Sequence, residues 1–189
     1  MKVETRKEEI IKTSTILFQK KGYSAVTMRD IAKVMGIKAA SLYNHIDSKQ
    51  EILSNIIISL AEEFTDGMRV IMNSNDSSID KLSSIVKLHV DITSRNTSGM
   101  ASLNNDWMHL KEDLDYYLKL RLDYEDNIRQ IIEQGILNDQ LQDSNAEVML
   151  FSMLSTLRSL YIWIPSKEDL NPLELAKNLN KVLLTGIIK

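Results

Sequence analysis

Cysteine is missing from the sequence, and glycine and proline are scarce, with six and two residues in a chain of 189. The absence of cysteine excludes disulfides, thiolate metal sites and thiol nucleophiles, and it suits a reducing compartment. Both prolines lie beyond residue 160. Because so few residues interrupt helices, long helices can form over most of the chain, and we expect an all-α fold.

Signals for export or membrane insertion are also missing. The first residues, MKVETRKEEIIK, are charged throughout and contain no apolar h-region, so they are not typical of a signal peptide. No apolar run approaches the roughly 20 residues that a spanning helix requires. We therefore expect a cytoplasmic protein that does not contact a membrane.

The net charge of −3 is small and unevenly distributed along the chain. Residues 1–60 contain 10 Lys and Arg against 6 Asp and Glu, a net charge of +4, whereas the remaining residues carry −7. A basic N-terminal segment on an acidic body places a field that attracts phosphates at one end of the chain. The distribution is compatible with DNA binding by the N-terminal segment.

The N-terminal segment has the pattern of short helices joined by a tight turn. An amphipathic helix is predicted over residues 5–21, and a capping box at Thr27 and Asp30 begins a second, shorter helix. Gly36 follows that helix and allows the positive φ that a tight turn requires. Two helices joined in this way are typical of a helix-turn-helix.

A third short helix is predicted over residues 38–45, and a further capping box at Ser48 opens a long helix to about residue 73. Leu42 can pack inward, while small and hydrogen-bonding side chains face outward, where they can approach base edges and phosphates. The outward-facing residues are Ala39, Ala40, Ser41, Tyr43, Asn44 and His45. The alternative is three solvated helices with polar outer faces, which the spacing alone does not exclude.

The segment from about residue 8 to 55 resembles the DNA-binding domain of the TetR/AcrR (tetracycline-repressor) family. The resemblance rests on four motifs: Thr27-Met28-Arg29-Asp30-Ile31-Ala32, Met35-Gly36-Ile37, Ser41-Leu42-Tyr43-Asn44-His45-Ile46 and Ser48-Lys49. It implies an N-terminal three-helix head (residues 1–50, recognition helix about 38–46) and a C-terminal helical bundle for ligand binding and dimerisation (residues 51–189). It also implies a homodimeric transcriptional repressor that binds a palindromic operator in double-stranded DNA.

Carried over position by position, the resemblance implies where DNA is contacted. Tyr43 and His45 are expected at phosphates, Thr27 and Lys49 at the DNA backbone on either side, and the small and polar residues at bases. The predicted set is Thr27, Arg29, Lys38, Ala39, Ala40, Ser41, Tyr43, Asn44, His45 and Lys49. Two positions depart from the family pattern: Lys38 replaces a hydroxyl-bearing helix cap, and Ile46 replaces Phe while remaining an apolar anchor.

The remaining helices are predicted over residues 79–94, 100–110 and 112–135, and the last two over about 144–164 and 171–187. The helix over 144–164 is apolar nearly all round, and such a helix must be covered on every side. Two copies of the last pair, packed as a four-helix bundle, bury these surfaces and form a dimer. The alternative is that the pair covers the core of one subunit.

Methionines and aromatic residues of the middle helices are candidates for an adaptable apolar effector pocket, although most such residues form ordinary cores. Arg121 and Arg158 can meet an anionic headgroup, and they can equally be solvated or paired with neighbouring carboxylates. The pattern over residues 122–135, 160–163 and 184–186 is similar to regulators of acyl-CoA thioesters or lipid-like acids. The predicted pocket residues are Met100, Trp107, Met108, Tyr117, Arg121, Tyr124, Met149 and Met153.

The sequence is also compatible with two other classes of function. An enzyme on a helical bundle is disfavoured because His45, His89 and His109 lie far apart and no second Glu-x-x-His motif occurs. No metal or cofactor is therefore expected. The second alternative is a helical adaptor that binds protein, or a family member whose head no longer binds an operator. Lys38 at the cap position, where the family has a hydroxyl, is compatible with this alternative.

Overall fold

The computed structural model describes residues 5–167 and 169–188, and helices joined by short turns make up most of them. The predicted all-α fold is confirmed. The helices are α1 (Arg6–Lys21), α2 (Met28–Val34), α3 (Ala39–Leu42), α4 (Lys49–Met72), α5 (Ser78–Arg95), α6 (Thr97–Asn105), α7 (Leu114–Leu137), α8 (Ala146–Arg158), α9 (Leu160–Trp163) and α10 (Pro172–Thr185). Residues 1–4, 168 and 189 of the predicted domains lie outside the described part of the chain.

The chain forms two compact units, which do not follow one simple cut in the sequence. The N-terminal unit combines the chain up to Ala61 with Ser98–Tyr117. The C-terminal unit combines Glu62–Thr97 with the chain from Leu118 onward. Residues from the middle of the sequence therefore pack with the predicted DNA-binding head.

The N-terminal unit is built around one face of α1. Thr5 and Glu8 form a capping box at its start, and Gly22 ends it at a φ of +81°. The hydroxyl groups of Ser14 and Thr15 donate to the carbonyls one turn before them, so these buried side chains are satisfied within the helix. The fully buried core of this unit includes Ile10, Phe18, Ile31, Leu42, Ile46, Ile52, Leu53 and Ile57.

Polar and aromatic contacts join the segment Ser98–Tyr117 to the rest of the N-terminal unit. The Gln50 side-chain amide donates to the His109 carbonyl at 2.7 Å, and the His109 ring stacks on Tyr23 with 5.3 Å between centroids. Ser98 donates to the Gln19 side chain at 2.6 Å. These contacts tie the segment both to α1 and to the start of α4.

The turn between α2 and α3 depends on Gly36, and we expect Gly36→Ala to lower the unfolding free energy by about 1–2 kcal/mol. Gly36 has a φ of +66°, and an added Cβ would meet no atom within 4 Å, so the cost comes from the backbone alone. Gly186→Ala is the control, because Gly186 has a φ of −78° and equally open space. Thermal unfolding should show a lower midpoint for Gly36→Ala only; equal midpoints would contradict this explanation of the turn.

α5 is the central helix of the C-terminal unit, where it packs against α8, α9 and α10. Leu82, Ile85 and Val86 on α5 are completely buried. Asn171 caps α10 through its side chain, and Pro172 occupies the first turn. The predicted start of the last helix is thus confirmed, since a cap followed by proline is a strong local signal.

Three predicted helix boundaries were wrong. The break expected over residues 95–99 is confined to Asn96, whose φ of −145° and ψ of 59° change the chain direction at once, so α6 begins at Thr97. α6 also ends at Asn105 instead of near residue 110. Asn145, not Ser144, caps α8.

The helix predicted over 144–164 is interrupted at Ser159, between α8 and α9. The hydroxyl groups of Thr156 and Ser159 donate to carbonyls four residues earlier, and such bonds bend helices. The expectation that no apolar stretch reaches the length of a membrane span was also wrong. Residues 146–166, with a mean hydropathy of 1.3, are long and apolar enough to cross a membrane, judged by length and composition alone. Core helices of water-soluble proteins can have the same length and composition.

Candidate nucleic-acid interface

The capping box of α2 sets the geometry of the helix-turn-helix. The Thr27 hydroxyl accepts from the Asp30 amide at 3.2 Å and donates to its carboxylate at 2.6 Å, and the Thr27 amide donates to the same carboxylate at 2.9 Å. These bonds keep the pKa of Asp30 below its ordinary value. The predicted capping box is confirmed, and a phosphate contact by the Thr27 side chain would have to share or replace its bond to Asp30.

The predicted recognition helix is shorter than expected. Regular helix covers Ala39–Leu42, and turns continue to residue 45 because the His45 amide bonds to the Leu42 carbonyl three residues earlier, at 2.9 Å. Lys38 occupies the cap position without a side-chain cap bond. A four-residue helix has no stability of its own, so the surrounding core must hold it in place.

Two apolar anchors fix which side of the α3 segment faces outward. Leu42 is completely buried and Ile46 is 2% exposed, which confirms Ile46 as an anchor. Lys38, Ala40, Tyr43, Asn44 and His45 are exposed, whereas Ala39 and Ser41 are half-buried. The spacing of the anchors therefore presents a cation, hydrogen-bonding groups and small residues together on one exposed segment.

Lys49 has a structural role that its sequence position did not reveal. Its ammonium donates to the carbonyls of Tyr23 and Val26, both at 2.8 Å, and lies 4.2 Å from the centroid of the Tyr23 ring. Desolvation lowers the pKa of Lys49. Two of its three donors are therefore committed to the α1–α2 connection, which leaves one for a phosphate. Arg29, by contrast, lies exposed on α2.

The eight predicted pocket residues are divided between the two units. Met100, Trp107, Met108 and Tyr117 belong to the N-terminal unit, and the other four belong to the C-terminal unit. Met108 is 56% exposed, whereas Met100, Tyr117, Tyr124, Met149 and Met153 are buried. The structure therefore places most of these residues in the interiors of the two units.

Arg121 and Arg158 both pair with Glu125. The Arg158 guanidinium lies 2.5 Å from the Glu125 carboxylate, and that of Arg121 lies 3.2 Å from it. The three side chains line an open groove of about 330 Å³ in the C-terminal unit. Pairing with a carboxylate, one of the alternatives that the sequence left open, is thus present for both arginines.

Sequence reasoning missed a buried polar cluster on α5 and α7. His89 is 4% exposed, and its Nε2 lies 3.0 Å from the Tyr124 hydroxyl. The Phe64 ring packs on the imidazole with 4.7 Å between centroids. Burial lowers the pKa of His89 to about 3. The sequence does contain a signal for the burial of His89, because His89 follows the buried α5 residues Ile85 and Val86 by four and three positions and so lies on the same helix face.

α8 and α9 leave one face uncovered within the C-terminal unit. Val148 and Phe151 on α8 are exposed, as are Ile162 and Trp163 on α9. Ser152, Ser155 and Thr156 lie on the same exposed side of α8, while the opposite side is buried. α10 adds exposed Leu173 and Val182. Exposed apolar side chains that share one helix face are candidates for an interaction surface.

A capped helix, a positive-φ glycine turn and an anchored second helix with exposed polar residues define a helix-turn-helix regulator of transcription. Residues 10–56 match the family model described as bacterial regulatory proteins, tetR family, and residues 75–187 match the tetracyclin repressor-like C-terminal domain. The chain therefore belongs to the TetR family. Its members are DNA-binding regulators without enzymatic activity, which rejects the enzyme hypothesis.

Individual relatives agree with this assignment. The chain is 24% identical over 185 residues to the transcriptional repressor KstR2 of Rhodococcus jostii, covering 96% of this chain and 91% of the relative. It is 38% identical over 76 residues to the biofilm-operon repressor IcaR of Staphylococcus aureus, covering 40% of this chain and 41% of IcaR. The solved structure of KstR2 of Mycobacterium tuberculosis, described as a ketosteroid transcriptional regulator, superposes with a TM-score of 0.93 at 19% identity, covering 100% and 97% of the two chains.

Proposed function

We propose that the protein is a homodimeric repressor that binds a palindromic operator through its N-terminal head and is released by a small apolar or amphipathic effector. The observation that carries the DNA-binding part is the anchoring of the α3 segment by Leu42 and Ile46. Buried anchors hold an otherwise unstable helix so that its polar side chains can meet base edges and phosphates. The residues that we assign to DNA are the ten predicted from the sequence.

We assign DNA binding to residues 1–50 and ligand binding and dimerisation to residues 51–189. α8, α9 and α10 supply the proposed dimer interface, which the exposed apolar side chains on these helices support. A two-fold dimer presents two recognition segments, and these meet successive major grooves when they lie about 34 Å apart. In this proposal the protein acts in the cytoplasm, and no membrane is involved.

The effector that we propose is an acyl-CoA thioester or a lipid-like acid. The sequence pattern over residues 122–135, 160–163 and 184–186 is similar to that of regulators of this class. The structurally similar KstR2 of Mycobacterium tuberculosis is described as a ketosteroid transcriptional regulator. Binding can release DNA only if the effector favours a dimer whose heads have the wrong spacing for the operator. The eight residues predicted for the pocket are the candidates for effector contact.

The test is a gel shift of the purified protein with DNA upstream of its own gene, followed by selection from random DNA if that fragment fails. We expect a dimer-sized complex at a palindrome that resists nonspecific competitor. The bound complex is then challenged with a panel of acyl-CoA thioesters and fatty acids, and at least one member should dissociate it. Weak, sequence-independent binding after selection would contradict operator recognition and favour the adaptor alternative. Release by no panel member would contradict the proposed effector class.

A further inference from the structure

Three buried side-chain atoms on α5 have no hydrogen-bond partner, Ser94 Oγ and two atoms that share one face of the helix. The two that share a face are Nδ1 of His89 and Oγ1 of Thr93, and their residues are 4% and 0% exposed. Because the residues are four apart in one helix, their side chains lie on the same face. Buried polar atoms are nearly always satisfied in native proteins, so two unsatisfied atoms on one face indicate a missing partner.

The Thr93 hydroxyl differs from the two buried hydroxyls of α1. In α1, the buried Ser14 and Thr15 donate to the carbonyl one turn before them. Thr93 also lies inside a long helix, yet its hydroxyl makes no such bond. Its donor is therefore available to a group that lies outside the helix.

The contact with Tyr124 determines what His89 can offer. The phenol and Nε2 lie 3.0 Å apart, and no other hydrogen-bond partner is seen for the phenol among the described residues. When the phenol donates its proton to Nε2, the neutral imidazole carries its own proton on Nδ1. Tyr124 thus acts as a positioning residue that makes the unpartnered Nδ1 a donor, and the missing partner must be an acceptor.

The surroundings favour a neutral acceptor over an anion. The rings of Phe64 and Tyr124 flank the imidazole, and burial lowers the pKa of His89 far enough to keep it uncharged at neutral pH. Arg158 contributes positive charge near this cluster, but its guanidinium is bonded to Glu125 at 2.5 Å. Among the described residues no unpaired cation is seen beside His89, so an anion at this position would be desolvated without compensation, which is costly.

We propose that His89 and Thr93 form the polar end of the effector site and donate hydrogen bonds to a carbonyl oxygen of an otherwise apolar ligand, a ketone or a thioester. This inference rests on the proposed effector-regulated function and narrows its ligand class, because it prefers a neutral carbonyl to a free carboxylate. The two donors correspond to the two lone pairs of one carbonyl oxygen. The aromatic rings supply apolar contact beside it.

The test compares three probes with the same chain length on the full-length protein: 2-decanone, decanoate and 2-methyl-1-decene, which replaces the carbonyl oxygen by a methylene group. Affinity is measured by NMR titration of the protein with ¹⁵N-labelled histidine. We expect 2-decanone to bind roughly tenfold more tightly than the alkene or decanoate, since two buried donors gain an acceptor. The His89 ¹⁵N signals should show the Nδ1–H tautomer and shift on ketone binding.

Two variants and a matched control complete the test. Thr93→Val and His89→Phe should reduce or abolish the preference for ketone over alkene. Thr15→Val makes the same change at a buried threonine whose hydroxyl is already bonded, and it should keep the preference. If His89→Phe does not fold, Thr93→Val and the wild-type tautomer still decide the question.

The proposal is overturned if 2-decanone does not bind saturably, if it binds no better than the alkene, or if His89 carries its proton on Nε2. The same holds if NMR places an ordered water at Nδ1 that 2-decanone does not displace. Operator release by acyl-CoA is measured separately. If acyl-CoA releases the operator equally well from wild type and from Thr93→Val, this site is refuted while the proposed function stands. Ketone binding at His89 without release of DNA by any compound would refute the proposed regulation while the site stands.

Discussion

Phe151→Glu is expected to convert the dimer to monomers, with a dissociation constant raised by about 1,000-fold or more. Phe151 is 71% exposed within the C-terminal unit and lies on the uncovered face of α8. In a two-fold interface each substitution occurs twice, so two carboxylates would lose water and face an apolar surface. Penalties of several kcal/mol correspond to this change in affinity. Sedimentation velocity at micromolar concentration measures it directly.

The control for Phe151→Glu is Val70→Glu. Val70 is 73% exposed, so Val70→Glu introduces the same charge at an equally exposed apolar position. Val70 lies on α4, outside the proposed interface. Val70→Glu should remain dimeric and bind the operator normally. Phe151→Glu should also lose at least 100-fold in operator affinity, because one head contacts only a half-site. A dimeric Phe151→Glu protein would refute the proposed interface.

The second large effect is a loss of stability in mild acid caused by His89. Its pKa is about 3 in the folded protein, lowered from 6.5 by burial and by the charge of Arg158. The unfolded chain therefore binds a proton below pH 6.5 that the folded protein does not bind. The stabilising contribution is complete above pH 6.5 and is lost as the pH falls toward 3, at about 1.4 kcal/mol per pH unit. From pH 6.5 to 5 the expected loss is about 2 kcal/mol.

This pH window separates His89 from Glu51 and Glu125. The pKa values of Glu51 and Glu125 are lowered by their hydrogen bonds to Lys7 and Arg158, so their contributions are lost only below the ordinary glutamate value. Urea unfolding at pH 6.5 and pH 5 should show the loss in wild type and in the control His45→Asn, since His45 is exposed. His89→Phe should remove it. An equal loss in both variants, or titration of the His89 ring above pH 5 by NMR, would contradict this assignment.

Local signals made much of the fold predictable. Three features that depend on a few consecutive residues were predicted correctly: the Thr27–Asp30 capping box, the turn at Gly36 and the start of α10 at Asn171–Pro172. Such caps and turns depend on backbone geometry within one turn, so the sequence carries them directly.

Contacts between residues far apart in sequence were not predictable in the same way. Lys49 donates to carbonyls 23 and 26 residues before it, and His89 meets Tyr124 across 35 residues. The family resemblance implied a DNA-backbone contact for Lys49, but tertiary packing directs two of its three donors inward. The break at Ser159 was missed because the apolar pattern continues across it. The hydroxyl-to-carbonyl bond that bends the helix there does not change that pattern.

Salt-titrated binding to the selected operator tests most directly the claim that the α3 segment contacts DNA. The variant Lys38→Ala/Tyr43→Ala removes two exposed side chains, so the fold should survive. We expect at least tenfold weaker binding and a log–log salt slope that is shallower by about 2, one phosphate contact from Lys38 in each half of the dimer. Lys87→Ala, which removes an exposed charge from α5, should match wild type in both affinity and slope. A double variant with the affinity and salt slope of wild type would contradict the assignment of the α3 segment to DNA.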